Sequence, residues 1–478
     1  MLVKSINNLK NVFVISTLLV LLASCGSGSG ELTGVQDRGE WYQDDPYGML
    51  FIPMGSYNMG ASDEDVPYGQ ANPSKTVSVQ AFYMDETEIT NNEYRQFVYW
   101  VKDSIAHVIL GELGDEELFG NHLKRNKDGD PYEVMEQGQI HNPINWDEPI
   151  MYDDTDDSEN ESTVTILENE GFYIPDELPG TNKSPRYYHI RQVDVTKLMF
   201  SYYWVDFQQA AKRSSRTNGH FSRMEERVNF IKYRSDNIYP DTLCWVHDFA
   251  YSYNEPMTQN YFWHQAYDHY PVVGVSWIQA RAFSIWRTGM KRSHHQGKGV
   301  AFWNDFRLPS ESEWEYASRG GLELNPFPWG GPYIRNSNGC FLANFKPLRG
   351  NYVDDGGFHT LIVGHFAPND YGLYDMAGNV AEWTADSYEE SAYRFSHDMN
   401  MSFSRSVMEN GLDDEINPGL KRRVIRGGSW KDVGYYTRTS ARTYEYQDTA
   451  KAYVGFRNVQ TFLGRAKGDG PNSSNVYQ

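Results

Sequence analysis

Hydrophobic and polar positions alternate with different periods along this chain, and the changes of period mark its elements. Met49 to Gly60 reads as a strand and turn, with glycines where the backbone must bend tightly. Val77, Val79 and Ala81 then alternate with polar neighbours, as in a half-buried strand. Three helix starts share one device, a hydroxyl N-cap with Glu or Gln three residues on: Thr90 with Glu93, Ser276 with Gln279, and Ser310 with Glu313. The first helix places Tyr94, Phe97, Val98 and Val101 on one face, and the second places Ile278, Ala282, Ile285 and Trp286 likewise, so both stripes are core.

Between Lys102 and Tyr270 the pattern loosens, which predicts a long insertion at about residues 102–270. Trp146 to Gly180 is dense in Asp and Glu and reads as a solvated loop; Asp153-Asp154-Thr155-Asp156-Asp157 lacks the spaced Gly and terminal Glu of an EF-hand. Lys197 to Ala211 mixes aromatic and basic residues and reads as a helix. Asp241 to Tyr270 is too rich in Trp, Tyr and Phe for a linker; such a surface either packs on the main core or meets a partner. Residues 463–478 read as a disordered tail.

The N-terminus adds a location. Residues 1–24 combine Lys4 and Lys10, the apolar run Val12 to Leu22 and a small-residue cleavage site, which is a signal peptide rather than a membrane span. Leu22-Ala23-Ser24-Cys25 is a bacterial lipobox pattern, so Cys25 is the expected lipidation site and residues 25–48 a lipidated N-terminal spacer. Acyl chains on Cys25, at roughly 0.8 kcal/mol per buried CH2, would hold the chain stably on a bilayer. With 64 acidic and 43 basic residues the net charge is -21, which disfavours nucleic acid and anionic lipid as partners. Of the three cysteines, Cys244 and Cys340 read as buried small residues, and at most one disulfide is available once Cys25 is acylated. The adjacent His294-His295 lacks helical ligand spacing and reads as part of a surface loop rich in Gly and Lys.

The C-terminal half carries the most specific motifs: Val275-Ser276-Trp277, Arg307-Leu308-Pro309-Ser310, Glu313-Trp314-Glu315-Tyr316-Ala317, Tyr371-Gly372-Leu373-Tyr374-Asp375, Gly378-Asn379-Val380-Ala381-Glu382-Trp383, Arg426-Gly427-Gly428-Ser429-Trp430 and Gly455-Phe456-Arg457. In this order they resemble the formylglycine-generating-enzyme-like, sulfatase-modifying domain, over roughly residues 49–462 outside the insertion. The resemblance implies an α+β fold, irregular and related to C-type lectins. Arg307, Arg319, Arg426 and Arg457 are then expected in buried ion pairs with carboxylates such as Glu313, Glu315 and Glu382.

Formylglycine-generating enzymes hold copper with two cysteines just after the Gly-Gly-Ser motif, because Cu(I) needs thiolates. Here Lys431 to Ser440 occupies that stretch and no cysteine follows Cys340, so no copper and no such catalysis are expected. Iron-dependent relatives use three histidines drawn largely from an extra helical domain, whereas the thirteen histidines here are scattered. The resemblance also implies structural Ca2+ at Asp375, Gly378, Val380 and Glu382, and a second site at Asn344, Phe345, Asp355 and Gly357, with Asp354 as the alternative ligand and turn capping as the alternative role.

Gly30 to Val35, the aromatic run from Trp245 to Trp263 and the lipobox together resemble one non-enzymatic branch, the gliding-motility and type IX secretion lipoproteins of Bacteroidetes. That resemblance implies a homo-oligomeric ring, anchored on the periplasmic face of the outer membrane, assembled with GldN or PorN and lying near the GldL and GldM motor proteins. The spacer lacks the acidic run that directs such lipoproteins to the cell surface. A sister GldJ-like motility component, a lectin-like module gripping peptidoglycan through aromatics of the insertion, and a formylglycine-generating-type oxidase are the alternatives.

Overall fold

The computed structural model describes residues 43–61, 73–113, 120–124, 134–136, 139–141, 143–152, 163–174, 192–205, 230–248, 257, 260–298, 303–347, 351–404 and 418–464. The expected signal peptide, Cys25, the acidic run at Asp153 and nearly all of the expected tail lie outside the described residues. Chain contacts separate Met1–Asp44 with Arg465–Asn472 from Asp45–Gly464 with Ser473–Gln478, and the elements below belong to the latter.

In chain order they are β1 (Met49–Ile52), β2 (Gly55–Met59), β3 (Lys75–Val79), β4 (Phe82–Asp85), α1 (Asn91–Leu113), β5 (Val134–Glu136), β6 (Gln139–His141), α2 (Thr163–Asn169), β7 (Met199–Val205), β8 (Ile231–Asn237), α3 (Cys244–Asp248), α4 (Trp277–Gly297), β9 (Phe306–Arg307), α5 (Glu311–Arg319), β10 (Ala381–Ser387), α6 (Ala392–Phe395), β11 (Arg422–Arg426), β12 (Thr443–Tyr446), β13 (Val454–Gly455) and β14 (Val459–Thr461). Helices and strands are thus mixed, with long irregular connections between them. One sheet has the order β1-β4-β14-β9 and another β12-β11-β10-β13, while β2-β3, β5-β6 and β7-β8 form two-stranded ribbons.

The three capping boxes form as the sequence predicts. Thr90 N–H donates to Glu93 at 2.8 Å while Glu93 N–H donates back to the Thr90 hydroxyl at 3.3 Å. Ser276 with Gln279 and Ser310 with Glu313 do the same at the starts of α4 and α5. These exchanges satisfy N–H groups that a helix start would otherwise leave open. Tyr94, Phe97, Val98 and Val101 of α1 meet Ile278, Ala282 and Phe283 of α4 in the largest core cluster, and Trp383 and Phe456 join them from the sheet side. Val77, Val79, Trp314, Ala317 and Met376 belong to a second cluster between the β2-β3 ribbon and α5.

The insertion is built onto this core. Helix α1 runs on to Leu113, and its Ala106 and Leu110 cluster with Ile166, Leu167 and Phe172. Lys197 to Ala211 does not start as a helix: Val195–Lys197 is one short turn and Met199–Val205 is strand β7, paired with β8 in a register that sets Tyr203 opposite Tyr233. The physical reason is a period of two. Phe200, Tyr202 and Trp204 turn inward and pack on the main core, while Met199, Ser201, Tyr203 and Val205 are exposed. His294 and His295 also depart from expectation, since both lie in the last turn of α4 rather than in a loop, and His295 is buried with its ring stacked 4.1 Å from Trp303.

Candidate functional site

Three of the motifs converge because they are neighbouring strands. In the register of β10, Glu382 faces Arg426 of β11 on one side and Gly455 of β13 on the other. Arg457, two residues beyond Gly455, reaches back to grip Glu382: Nε lies 2.9 and 2.8 Å from its two oxygens and Nη2 2.6 Å from one. Trp314 of α5 donates its indole N–H to the same carboxylate at 2.7 Å. Arg319 and Arg426 share Glu315, Arg319 at 2.7 Å, and Arg442 holds Glu311. Arg307 pairs with Glu313 at 2.6 Å from a partly exposed position. The expected arginine pairs are therefore all present, and Arg426 with Glu315 and Arg442 with Glu311 fasten α5 to the sheet carrying the motifs.

The Gly-Gly-Ser-Trp turn depends on close backbone approach. Gly428 has φ +67, and a Cβ there would lie 2.7 Å from the Tyr436 carbonyl oxygen, so only glycine lets the following stretch fold back. That stretch, Lys431 to Ser440, is a succession of turns. The Ser429 hydroxyl donates to Asp432 at 2.6 Å, Tyr436 N–H to the Val433 carbonyl at 2.9 Å, and the Thr437 hydroxyl to the Gly434 carbonyl at 2.9 Å. No thiol stands within it. Cys244 and Cys340 are both free, Cys244 buried and Cys340 exposed rather than buried as the sequence suggested.

Trp430 itself is covered. Trp245 of α3 stacks on it with centroids 5.9 Å apart and planes 17° apart, and His359 stands edge-on to both. Cys244, Tyr261, Val273 and Val380 complete the cluster. The aromatic run of the insertion thus packs on the core beside the Gly-Gly-Ser-Trp turn.

The residues expected around calcium fall into two arrangements. Asp375, at φ +55, accepts from Gly364 N–H at 2.6 Å, and burial pushes its carboxyl up to about 6. Gly378 N–H donates to the Gly427 carbonyl, and Val380 N–H to Glu88 at 3.2 Å. Glu382 is committed elsewhere, since the Arg457 guanidinium already neutralises it, so these four residues do not fit together as a cation's ligand set. In the second set Asp355 accepts from Phe345 N–H at 2.9 Å and Gly357 N–H at 3.3 Å. Asp354 instead pairs with Arg335 at the surface, at 3.0 Å. Asp355 is buried with no Lys or Arg partner among the described residues, which fits a cation site better. Asn379 ties the two sets together: its N–H donates to the Asn344 carbonyl at 2.9 Å and its side-chain NH2 to Glu88 at 2.8 Å.

Glu88 is the member that sequence reasoning missed. It is wholly buried, and desolvation, followed by Asp375 and Glu382, holds its carboxyl well above the usual range. In the sequence it follows Asp85 and Glu86 and looks like one more surface acid.

Comparison with known proteins gives one profile match, to the "Sulfatase-modifying factor enzyme 1-like domain", over residues 39–462. The chain is 34% identical over 206 residues to "Inactive C-alpha-formylglycine-generating enzyme 2" of Bos taurus, which is 42% of this chain and 53% of that protein. It is likewise 34% identical over 204 residues to "Formylglycine-generating enzyme" of Mus musculus, 41% of this chain and 46% of that one. The chain spans about half the length of these curated relatives. Among solved structures, PvdO from Pseudomonas aeruginosa aligns over 88% of this chain and 98% of its own, at 16% identity and a TM-score of 0.43.

Proposed function

We propose, from the premise that this chain belongs to the sulfatase-modifying factor enzyme 1-like family, that it keeps the family fold without the oxidase and serves as a scaffold. The specific reading is a GldK/PorK-type outer-membrane lipoprotein, anchored through Cys25 on the periplasmic face. There it forms the ring of the type IX secretion and gliding-motility machinery with GldN or PorN, near GldL and GldM. The observation that carries the non-catalytic part is the stretch Lys431 to Ser440: a run of hydrogen-bonded turns with no thiolate, where the copper ligands of an oxidase belong. That relatives include one named inactive accords with it. A structural Ca2+, if the chain holds one, is better served by Asn344, Phe345, Asp355 and Gly357 than by the set containing Glu382.

Two measurements test this reading. Co-purification from the native membrane, followed by electron microscopy, is expected to give a large ring containing GldN or PorN; a monomer indifferent to that partner overturns the scaffold. Copper loading with a cysteine peptide is expected to consume no oxygen, and turnover would restore the oxidase. A second reading rests on β7 and β8, whose outward face sets exposed Tyr203 opposite exposed Tyr233 with Ser201 and Ser235 alongside. Such a face suits stacking on peptidoglycan sugars. Pull-down on peptidoglycan in the absence of GldN or PorN, lost in Tyr203→Ala, supports that role beside the first.

A further inference from the structure

We infer that His107 and His122 are the anchoring ligands of a transition-metal site, for zinc(II) or a similar imidazole-seeking ion, that staples α1 to the segment following it. Neither residue takes part in the motif core described above. His107 is on the buried face of α1, four turns past its start, and His122 closes a short turn at Gly120–His122. Their Nδ1 atoms lie 3.0 Å apart, and both rings are buried.

That separation is close to what a tetrahedral ion asks for. With metal–nitrogen bonds of about 2.0–2.1 Å, two ligands on a tetrahedron stand roughly 3.3 Å apart, so a small parting of the rings admits the ion. The walls are already set. Trp146 stands edge-on to His107 at 5.4 Å and stacks on Trp100 at 5.1 Å, which fixes the His107 ring. Asn145 N–H donates to the His122 carbonyl at 2.9 Å, and Leu123 bridges to Ile144, which fixes the backbone of the other.

Charge and protonation favour the same ion. Burial lowers both imidazoles below their usual range, so both are neutral and ready to ligate at pH 7. Two carboxylates stand around them. Asp103 precedes His107 by one helical turn on the same face, although it also accepts from Tyr152 at 2.6 Å and lies 3.4 Å from Lys102. Glu148 acts electrostatically on both imidazoles. Among the described residues no group of three or more His, Cys, Asp or Glu forms a ready-made cage, so the two imidazoles are the described protein ligands and water fills the remaining positions. Without metal the pair shares one proton between its Nδ1 atoms. On binding, that proton leaves Nδ1 and the same ring takes one at Nε2, so both rings stay neutral and no net proton is released.

The test uses the full mature lipoprotein in detergent, stripped with EDTA and titrated with zinc sulfate by calorimetry in excess Ca2+, so that calcium sites do not contribute. One zinc is expected per chain, bound more weakly by over about tenfold in His107→Gln and in His122→Gln, and to a lesser degree in Glu148→Gln. Cobalt(II) on the unaltered protein is expected to show the intense d–d bands of a four-coordinate site with nitrogen ligands. This second readout does not depend on the variants folding. Equal zinc binding by the wild type and the double variant, or no binding by the wild type, overturns the inference and leaves a hydrogen-bonded histidine pair only. So does a cobalt spectrum of the hydrated ion. None of these outcomes bears on ring assembly.

Discussion

Trp245 and Trp430 lie face to face, 17° from parallel, so one stack joins the insertion to the Gly-Gly-Ser-Trp turn. Both indoles are buried, and the Trp430 N–H donates to the Ala452 carbonyl at 3.2 Å. Trp245→Ala opens a cavity that the surrounding Tyr261 and His359 rings cannot close, at an expected cost of about 3–5 kcal/mol. Urea unfolding followed by circular dichroism checks it. A loss below about 1 kcal/mol would mean that the insertion merely lies on the surface.

Breaking the Glu382–Arg457 pair on one side should be worse than removing it whole. Glu382→Gln leaves a buried guanidinium without its countercharge, for an expected loss of about 3–5 kcal/mol. Glu382→Gln combined with Arg457→Met should recover part of that loss, and Arg457→Lys should not substitute for Arg457, because a single ammonium cannot span both oxygens. Denaturation midpoints of the three variants decide between this and independent contributions, which would make the double variant the least stable.

Asp375 gives a pH dependence with a definite sign. Its folded carboxyl is pushed up to about 6, chiefly by burial, against about 3.9 for an unfolded chain. Between those values the folded state keeps a proton that the unfolded state has released, so this group's effect is to lower stability as pH rises through the window. Asn tolerates φ +55 and still offers an oxygen to Gly364 N–H. In EDTA, Asp375→Asn is therefore expected to gain about 1–3 kcal/mol at pH 7.5 and about a third of that at pH 4.5. An equal gain at both pH values would point to backbone relief instead. Added Ca2+ should narrow the pH 7.5 gap only if Asp375 binds it.

The two described thiols should differ in reach. With residues 1–25 removed, a thiol reagent is expected to label one site, Cys340, in the native protein and a second, Cys244, only on unfolding. Mass spectrometry of the labelled peptides reads this directly. Rapid native labelling of Cys244 would mean that α3 and its Trp245 leave the core readily.

What the sequence makes legible here is local. A capping box spans four residues, and the α1 and α4 stripes repeat within each helix, so their pattern survives without knowledge of the fold. The arginine pairs were legible only through the family resemblance. Strand β7 was misread because aromatic residues occupy both its faces, and the partner that shows which face is inward lies 34 residues away at Ser235. Glu88 was invisible for the same reason on a larger scale, since its partner Asn379 is 291 residues on. His295 sits among Lys and Gly in sequence, and its stack on Trp303, eight residues on, is not legible in that pattern.

The sheet order β1-β4-β14-β9 has a consequence for how the chain comes to be folded. Strand β14, near the end of the described chain, lies between β4 and β9, and Arg457 donates to the Asp85 carbonyl across 372 residues of sequence. Loop closure on that scale comes before the contacts that reward it, so folding is slow and late. A polypeptide that emerges N-terminus first cannot complete this sheet until β14, the last strand among the described residues, has arrived. Until then β4 presents an open edge of Phe82, Tyr83 and Met84, and the chain depends on whatever shields that edge in the meantime.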